Sequence, residues 1–422
     1  MIDAVRTVRL LHELRGGVRR APEEIRARQG ALLRRAVAHA SSHVPFYRQL
    51  WTSAGVDTDQ IRSLDDLRRL PIVTADLVRA AAERGGLTAR IPTRHVGRRF
   101  STSGSSGKPL EVPRGAVEAQ LWQVAGLRMQ LEHGFRWWDT TVQFDAAPGP
   151  AHLLQALGVA PVVWIPQELP LDEQLDRLER ARARVILGHV TVLRRIGHAL
   201  AERHARLTPP ASVFSMAEVL DDDSRATIHA AFGVEPADLY GMTEVGFIGW
   251  QCEQRGPLHV NAELLVVEIL RDGVPARCGE LGRVVVTDLR GRTMPFLRYY
   301  TGDLATAAGP CACGRTLPTM GPVEGRARHA IHTPDGRTLT QRAVMNRLVT
   351  TLRMGEYRLR RESERGFRLQ VTPRGFAAGI GEAEALRALR ALLGDVDLVV
   401  ECVDAFPEGP KTHAVIDARV PS

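Results

Sequence analysis

The sequence predicts an α/β protein, with a large N-terminal domain over residues 1–324 and a small α+β domain over residues 325–422. Helical and strand-like segments alternate between residues 162 and 232, which favours parallel strands joined by helices. From residue 258 to 306 the strand-like runs follow one another, with glycine and proline at the turns. After Gly325 the chain begins a shorter series of elements, which predicts a second and smaller domain.

The first half of the chain supplies the helices and the parallel strands. Residues 22–41 carry Ile25, Leu32, Leu33 and Val37 at helical spacing, and a break and a short helix follow in SSHVPFYRQLW. Further helices are predicted at about 171–183, 191–203 and 222–232. The intervening strands are predicted in the runs VVWIP, ARVILG and ASVFSM.

The second half of the large domain differs from the first in its predicted secondary structure. Strands are predicted in LLVVEIL, GRVVVTDL and MPFLRYYTGDLA, which makes the end of the large domain mostly β. The small domain then begins near Gly325. It is predicted to contain a hairpin in YRLRRESERGFRLQVTP with its turn at residues 364–366, a helix in GEAEALRALRALLG and a strand in VDLVVECVD.

The composition is that of a globular protein without a targeting or membrane segment. No apolar run reaches the length of a membrane span, and the first thirty residues are too charged for a signal peptide, so a cytoplasmic protein is expected. Five cysteines, scattered and odd in number, argue against a disulfide framework. The net charge of +8 is spread along the chain without a nucleic-acid motif, which favours polyanionic small substrates over nucleic acid.

Lysine is almost absent from this chain. Of 56 basic residues only Lys108 and Lys411 are lysine, and the other 54 are arginine. Lysine is a compact point charge that can enter a tight phosphate or carboxylate site, where the wider guanidinium of arginine does not fit. A sequence that avoids lysine is expected to keep it where arginine fails, so both lysines are predicted to be functional.

The first lysine lies in a glycine- and serine-rich stretch, STSGSSGKP, which is not a Walker loop. Only two residues separate Gly104 from Gly107, and Pro109 follows the lysine where a Walker loop has serine or threonine. The glycines let backbone N–H groups turn toward an anion, and Lys108 adds a charge. The alternative interpretation is a flexible surface linker. The hydroxyl donors of this predicted anion-binding loop are Thr102, Ser103, Ser105 and Ser106.

Three blocks then follow in order: STSGSSGKP, ADLYGMTEVG at 237–246 and LRYYTGDLA at 297–305. Together with the N-terminal HVPFYRQLWTSAGVDTDQIRSLDDLRRLPIVT, they resemble the adenylate-forming superfamily, and within it the phenylacetate-CoA ligase branch. The resemblance covers nearly the whole chain. It implies an enzyme that activates a carboxylic acid with ATP, releases pyrophosphate, and passes the acyl group from the adenylate to coenzyme A.

The resemblance also implies roles for particular residues. The first block becomes the mobile loop that holds the ATP triphosphate. Tyr240 is implied near adenine, Thr243 near the phosphates, Glu244 as a magnesium ligand and Asp303 on the ribose hydroxyls. In SMAEV, Ala217 and Glu218 match the family's segment beside adenine. The expected nucleotide contacts also include Asp238, Gly241, Met242 and Arg326.

The boundary of the small domain resembles the family hinge. Gly325 and Arg326 match the point where the small domain rotates between adenylation and thioester formation, and Lys411 in EGPK matches the catalytic lysine of that domain. Arg328 and His329 stand where relatives usually carry acidic residues. This departure leaves open an acceptor other than coenzyme A, such as an amine or a carrier-protein thiol. A catalytically inactive nucleotide-binding relative is the third alternative.

Four metal-ligating residues lie in the β-rich part of the large domain. Cys252 and His259 in WQCEQRGPLH, with Cys311 and Cys313 in GPCACGR, could form a closed Cys₃His zinc site, and the resemblance to zinc-containing members of the branch supports it. The alternative is that these are ordinary core cysteines. Cys278 and Cys402 are expected to be packing residues. The state of assembly, with a homodimer among the alternatives, is not set by these patterns.

The identity of the carboxylic acid is not readable from the sequence. RWWDTTVQFDAAPG and VVWIP fall where relatives line the acyl pocket. Their aromatic side chains could line that pocket, or they could be core residues, which is the commoner case. These side chains are Trp137, Trp138, Phe144 and Trp164.

Overall fold

The computed structural model describes residues 4–89, 96–102, 109–145, 158–205, 207–333, 336–352, 357–372, 382–404, 406 and 415–419. The chain forms two compact units, residues 1–135 with 237–322 and residues 136–236 with 323–422. This division does not test the predicted domains 1–324 and 325–422, which stay a prediction. Within the described ranges, no helix combines the length and hydrophobicity that a membrane span requires.

Helices form the N-terminal part of the first unit. The second of them begins with Pro22 in its first turn, where the missing N–H of proline costs no hydrogen bond, and Glu23 and Glu24 follow at the positive end of the helix dipole. It buries Leu33, Ala36 and Val37 along one face. The helices are α1 (Ala4–Gly17), α2 (Pro22–His43), α3 (Pro45–Ser53), α4 (Ala75–Glu83) and α5 (Ala116–Glu132).

A hairpin and a large sheet complete the first unit. The hairpin pairs β1 (Val96–Ser101) with β2 (Glu111–Gly115) in antiparallel register. The sheet has the strand order β11-β10-β12-β13-β14-β9-β8-β7 within this unit. Its strands are β7 (Ala237–Met242), β8 (Gly246–Trp250), β9 (Leu258–Val260), β10 (Leu265–Arg271), β11 (Val274–Pro275), β12 (Leu281–Asp288), β13 (Tyr299–Ala307) and β14 (Thr319–Arg326).

The second unit begins with a parallel sheet of order β6-β5-β3-β4. Every residue of β5 is buried, as in parallel strands covered on both faces. The side chain of Asp221 accepts from the N–H groups of Asp223 and Ser224 and caps the helix that follows β6. The elements are β3 (Thr141–Asp145), β4 (Val162–Pro166), α6 (Leu171–Ala181), β5 (Val185–His189), α7 (Val190–Glu202), β6 (Ser212–Met216) and α8 (Asp222–Phe232).

The rest of the second unit is α+β. A four-stranded sheet of order β19-β18-β17-β20 packs with two helices around a core that includes Leu359, Leu369, Val371 and Leu389. A short pair, β15 (Ile331–His332) and β16 (Thr338–Leu339), precedes them. The remaining elements are α9 (Gln341–Leu352), β17 (Tyr357–Arg361), β18 (Gly366–Val371), α10 (Glu382–Leu393), β19 (Asp397–Cys402) and β20 (Val415–Asp417).

The predicted elements are confirmed in type and in order, with local corrections. The strand predicted in MPFLRYYTGDLA begins only at Tyr299, because Arg298 adopts a positive φ of 50° and turns the chain before the strand. The predicted hairpin turn at residues 364–366 lies one residue too late, since Gly366 already pairs in β18. Cys278 and Cys402 are exposed, so their prediction as packing residues is wrong.

Candidate active site and metal centre

The turn between β7 and β8 presents the residues of the YGMTE block. Thr243 and Glu244 lie in this turn and are half-buried. Gly246 closes the turn with a φ of +76°, and the Trp122 ring lies 2.7 Å from the point that its Cβ would occupy. A side chain is therefore excluded at Gly246 by both conformation and space. The turn holds one hydroxyl and one carboxylate within reach of solvent.

A hydrogen bond joins the second and third sequence blocks. The Tyr240 hydroxyl on β7 donates to Asp303 Oδ2 on β13 over 2.6 Å, and both side chains are buried. The Tyr299 hydroxyl, also on β13, lies 3.4 Å from Glu244 Oε1. The sequence did not predict these two pairings, although it singled out three of the four residues. They bring two phenols and two carboxylates to one region of the first unit.

The other predicted residues on β7 have backbone roles. The N–H of Asp238 donates to Gln251 Oε1 over 3.0 Å, and Asp238 is buried beside β8. Gly241 is exposed, and a Cβ there would lie 2.9 Å from the Gly246 carbonyl oxygen. Met242 pairs with Gly246 across the turn. These residues set the shape of the strand that carries Tyr240.

The structure describes the residues that flank the anion-binding loop predicted from the first block. The N–H of Thr102 donates to the Leu110 carbonyl over 3.0 Å, and the Leu110 N–H donates to Thr102 Oγ1 over 2.8 Å. These two bonds bring the ends of the loop together. Outside the described residues lie its other predicted members, Ser103, Gly104, Ser105, Ser106, Gly107 and Lys108.

A fully buried arginine holds the strand that follows this loop. Arg114 on β2 lies 3.2 Å from Asp288 Oδ2 and stacks 4.7 Å from the centre of the Trp122 ring. Burial raises the pKa of the nearby Glu118 carboxyl, but the Arg114 charge and hydrogen bonds from Arg292 and Thr293 outweigh it, so the pKa lies below its usual value. The hairpin is thus fixed on its inner side by charge-assisted contacts.

In the second unit, the SMAEV segment spans the carboxyl end of β6, with Ala217 and Glu218 just beyond the strand. Ala217 is exposed and has a φ of +69°, an uncommon backbone state for a residue with a Cβ. Glu218 Oε2 accepts from the Thr191 N–H over 2.7 Å at the start of α7. Ligands of open α/β sheets bind at the carboxyl ends of parallel strands, where this segment lies.

The predicted hinge has a special backbone and a buried partner. Gly325 has a φ of +111°, and the N–H of Arg326 donates to Gln341 Oε1 over 2.8 Å. His329 is buried and accepts at Nδ1 from the Asp417 N–H over 3.3 Å. The ring of His329 is therefore bonded to the backbone of β20. Lys411 lies outside the described residues.

Four side chains in the first unit converge as the sequence predicted. Cys252 follows β8, His259 lies in β9, and Cys311 and Cys313 lie in the loop between β13 and β14; their ligand atoms are all within 4.8 Å of one another. The Sγ atoms of Cys252 and Cys311 are 3.7 Å apart, and Cys313 Sγ is 3.3 Å from His259 Nε2. Two thiolates on a tetrahedral zinc ion stand about 3.8 Å apart, given a Zn–S bond of about 2.3 Å.

The chemistry of this donor set fits a cation. Burial lowers the pKa of His259 to about 4, and the charges of Arg315 and Arg128 act in the same direction, so its ring is neutral and offers a lone pair. Burial and hydrogen bonds with neighbouring thiols raise the pKa of Cys252 to about 12. Such a thiol stays protonated at neutral pH unless a metal replaces the proton. The residues present therefore fit a closed Cys₃His metal site.

The aromatic candidates for the acyl pocket divide into two groups. Phe144 is fully buried in the core of the parallel sheet, beside Ile165 and Leu193. Trp138 is 69% exposed and Trp137 is 43% exposed, so neither is a core residue. Trp164 on β4 is half-buried. Of the four, Phe144 alone takes the core position that the sequence left as the alternative.

Comparison with solved structures identifies the class of fold. The chain superimposes on 2-hydroxyisobutyryl-CoA ligase in its postadenylation state with a TM-score of 0.78 and 20% identity, over 93% of this chain and 89% of the other. It matches an amide bond synthetase from Marinactinospora thermotolerans with a TM-score of 0.55 and 19% identity, over 79% and 69% of the two chains. The fold is that of the adenylate-forming enzymes.

Sequence comparison narrows the class to a family. No protein-family model matches the chain. The phenylacetate-coenzyme A ligase of Thermus thermophilus is 30% identical over 322 residues, which are 72% of this chain and 71% of that protein. The enzyme of the same name from Escherichia coli is 25% identical over 325 residues, or 72% of each chain. The chain belongs to the phenylacetate-CoA ligase family, and it is an AMP-forming acid–CoA ligase.

Proposed function

We propose that this chain couples ATP to the thioesterification of a carboxylic acid through the site residues named above. In the first half-reaction a carboxylate oxygen of the acid attacks the α-phosphorus of ATP, the bond from that phosphorus to the bridging oxygen breaks, and pyrophosphate leaves. In the second, the sulfur of coenzyme A attacks the acyl carbon, the bond from carbon to the phosphate oxygen breaks, and AMP leaves. The thiol proton passes to solvent.

The observation that carries this proposal is the bond between Tyr240 and Asp303. Two blocks more than sixty residues apart meet through a buried phenol and carboxylate 2.6 Å apart. A carboxylate oxygen has two lone pairs and can accept from Tyr240 and from a ribose hydroxyl together. We assign Asp303 to the ribose and Tyr240 to the adenosine side of the nucleotide, with Asp238, Gly241 and Met242 shaping the strand beneath it.

The remaining nucleotide contacts follow from the same assignment. Thr102, Ser103, Gly104, Ser105, Ser106, Gly107 and Lys108 would hold the phosphates of ATP, and Ala217 and Glu218 would lie beside adenine. Thr243 would contact the α-phosphate, and Arg326 would contact the nucleotide from the hinge. Glu244 would hold Mg²⁺, which neutralises phosphate charge when bound; its carboxylate in a half-buried turn suits a hard cation.

Lys411 would serve the first half-reaction alone. A lysine ammonium at the oxygen bridging carboxylate and phosphorus stabilises the negative charge that develops there. We propose that rotation at Gly325 brings Lys411 to the nucleotide for adenylation and removes it for the attack of coenzyme A. The positive φ of Gly325 supports a special backbone at this point.

The Cys/His cluster would hold zinc in a structural role. The four ligands fill a tetrahedral shell and leave no position for a substrate. Zinc there would fix the loop that follows β13, the strand of Asp303. We therefore assign Cys252, His259, Cys311 and Cys313 to folding rather than to chemistry.

The acid is best identified by trapping the intermediate. The protein is incubated with ATP, Mg²⁺ and a mixed library of carboxylic acids in the absence of coenzyme A, and the bound adenylate is identified by mass. One acyl-adenylate, or a small set of related ones, is expected. Nucleotide binding without any adenylate or pyrophosphate would contradict the proposal and favour an inactive relative.

A further inference from the structure

A single buried amide connects the hinge to the strand that follows Lys411. Gln341 is the first residue of α9 and is 4% exposed. Its Oε1 accepts from the Arg326 N–H over 2.8 Å, and its Nε2 donates to the Val415 carbonyl over 2.9 Å. Val415 begins β20 and lies four residues after Lys411. Both ends of the amide are thus used by backbone groups of two functionally important segments.

The hinge is built around this amide. A Cβ at residue 325 would lie 2.3 Å from Gln341 Oε1, and the φ of +111° is itself unfavourable for any residue but glycine. The absence of a side chain at Gly325 lets the amide approach the hinge backbone. The need for glycine at this hinge is therefore partly a need to make room for Gln341.

The strand held by Gln341 is fixed on its other side to β17. Val415 pairs with Leu359, and Asp417 pairs with Arg361, in parallel register. The Asp417 N–H also donates to His329, three residues after the hinge arginine. The strand β20 is thus attached both to the small sheet and to His329, which follows the hinge in sequence.

We propose that Gln341 is a positioning residue for adenylation: its amide couples the hinge to β20, the strand that follows Lys411 in the sequence, so that β20 moves together with the hinge when the chain rotates at Gly325. This inference rests on the proposed role of Lys411. Without the amide, the Arg326 N–H and the Val415 carbonyl lose their common partner, and the strand can shift relative to the hinge. A displacement of about 1 Å at a catalytic group is enough to cost up to 10²-fold in rate.

The test compares Gln341→Met with Gln370→Met in the full-length protein. Gln370 lies in β18 of the small sheet, which pairs with β17 and β19, and its amide donates to Glu401 over 2.9 Å. For Gln341→Met we expect kcat for acid-dependent pyrophosphate release to fall about 10- to 100-fold, with KM for ATP and acid unchanged within about twofold. Transfer from supplied acyl-adenylate to coenzyme A should stay near the parent rate. Gln370→Met should leave both half-reactions unchanged.

The ratio of the two half-reaction rates, measured on one preparation, does not depend on the fraction of folded protein. A poorly folding Gln341→Met variant is therefore still informative. If both half-reactions fall by the same factor, or if neither falls, Gln341 has a structural role only and the inference is wrong.

A double-mutant cycle with Lys411→Ala separates positioning from an independent effect. If Gln341 acts through Lys411, Gln341→Met should slow adenylation no further once Lys411 is alanine. If the adenylation rate of the double variant falls by the product of the two single-variant factors, the inference is wrong. If Lys411→Ala leaves the adenylation rate unchanged, the proposed role of Lys411 is wrong. If Lys411→Ala slows adenylation but Gln341→Met does not, only the inference about Gln341 is wrong.

Discussion

The Cys/His cluster and the Gln341 amide both fix a chain segment, but they do so in different ways. Four side chains, two from the β8–β9 stretch and two from the loop after β13, have their ligand atoms within 4.8 Å of one another. One amide, with two backbone partners, joins the hinge to β20. In the proposed metal site a cation would replace the thiol protons, whereas the second arrangement depends on the absence of a side chain at Gly325.

The difference corresponds to what each segment has to do in the proposed mechanism. Asp303 on β13 must keep one place while the nucleotide is bound, and a closed metal site next along the chain suits a static strand. In that mechanism Lys411 must approach and leave the nucleotide in each cycle, so β20, which follows it in the sequence, is expected to move as one piece with the small domain. The proposed metal site would restrict movement of the loop after β13. The Gln341 amide would instead make the hinge and β20 move together.

Lys411→Ala is expected to have the largest effect. Adenylation should slow by roughly a hundred- to a thousand-fold, or about 3–4 kcal/mol, because an oriented cation at the developing charge is lost. The same variant should pass the acyl group from supplied acyl-adenylate to coenzyme A at a near-normal rate, as measured by thioester formation.

Lys411→Arg tests the argument from lysine scarcity. It should not restore adenylation fully, because the guanidinium is wider and its charge is spread. Full activity of Lys411→Arg would show that neither the role of this lysine nor the scarcity argument is correct.

Cys311→Ser should act on the static region. We expect about one zinc ion per parent chain, less in the variant, and a melting temperature lower by roughly 5–10 °C, since closed zinc sites contribute to folding. Both half-reactions should fall together. Cys278→Ser, at an exposed cysteine outside the cluster, is the control. Parent protein purified without chelators that contains no zinc would refute the metal site.

Gly325→Ala should disturb the moving region, and Gly336→Ala is its matched control. Both glycines have positive φ, but a Cβ at Gly336 meets nothing within 4 Å, whereas one at Gly325 meets Gln341. A positive φ disfavours alanine at both positions, and the Cβ clash is present at Gly325 alone of the two. The additional loss in Gly325→Ala, read as slower adenylation with little change in transfer, measures the clash. Equal adenylation rates in the two variants would contradict a hinge whose geometry depends on the contact between Gly325 and Gln341.

Tyr240→Phe should have the smallest effect. Loss of the hydroxyl that bonds Asp303 is expected to raise KM for ATP about fivefold, or about 1 kcal/mol, with little change in kcat. The buried hydroxyl of Tyr357 has no hydrogen-bond partner among the residues described, so Tyr357→Phe is a neutral control. An unchanged KM for ATP in Tyr240→Phe would place the nucleotide elsewhere.

The sequence was sufficient where a local pattern carried the information. Helical spacing predicted α2, and short apolar runs between helices predicted the parallel strands β4, β5 and β6. The Cys/His cluster was also predicted, because each ligand lies in a recognisable stretch and the donor chemistry is specific.

Other features had no local signal. The pairing of Tyr240 with Asp303 joins side chains 63 positions apart on two strands that are not neighbours in the sheet. The residues next to either one in the sequence do not predict it. Gln341 is an ordinary polar residue at the start of a helix until its two backbone partners are known. Residues whose role depends on distant backbone groups need the tertiary structure.

AMP release with and without coenzyme A, for an acid identified by adenylate trapping, tests the central claim most directly. Pyrophosphate release should require the acid in both cases, and it should stop after one turnover per active site when coenzyme A is absent. Without coenzyme A, AMP should stay bound as the acyl-adenylate; with coenzyme A, AMP and an acyl-CoA thioester should appear together in equal amounts. Pyrophosphate release followed by AMP at the same rate with or without coenzyme A, and no thioester, would contradict an acid–CoA ligase.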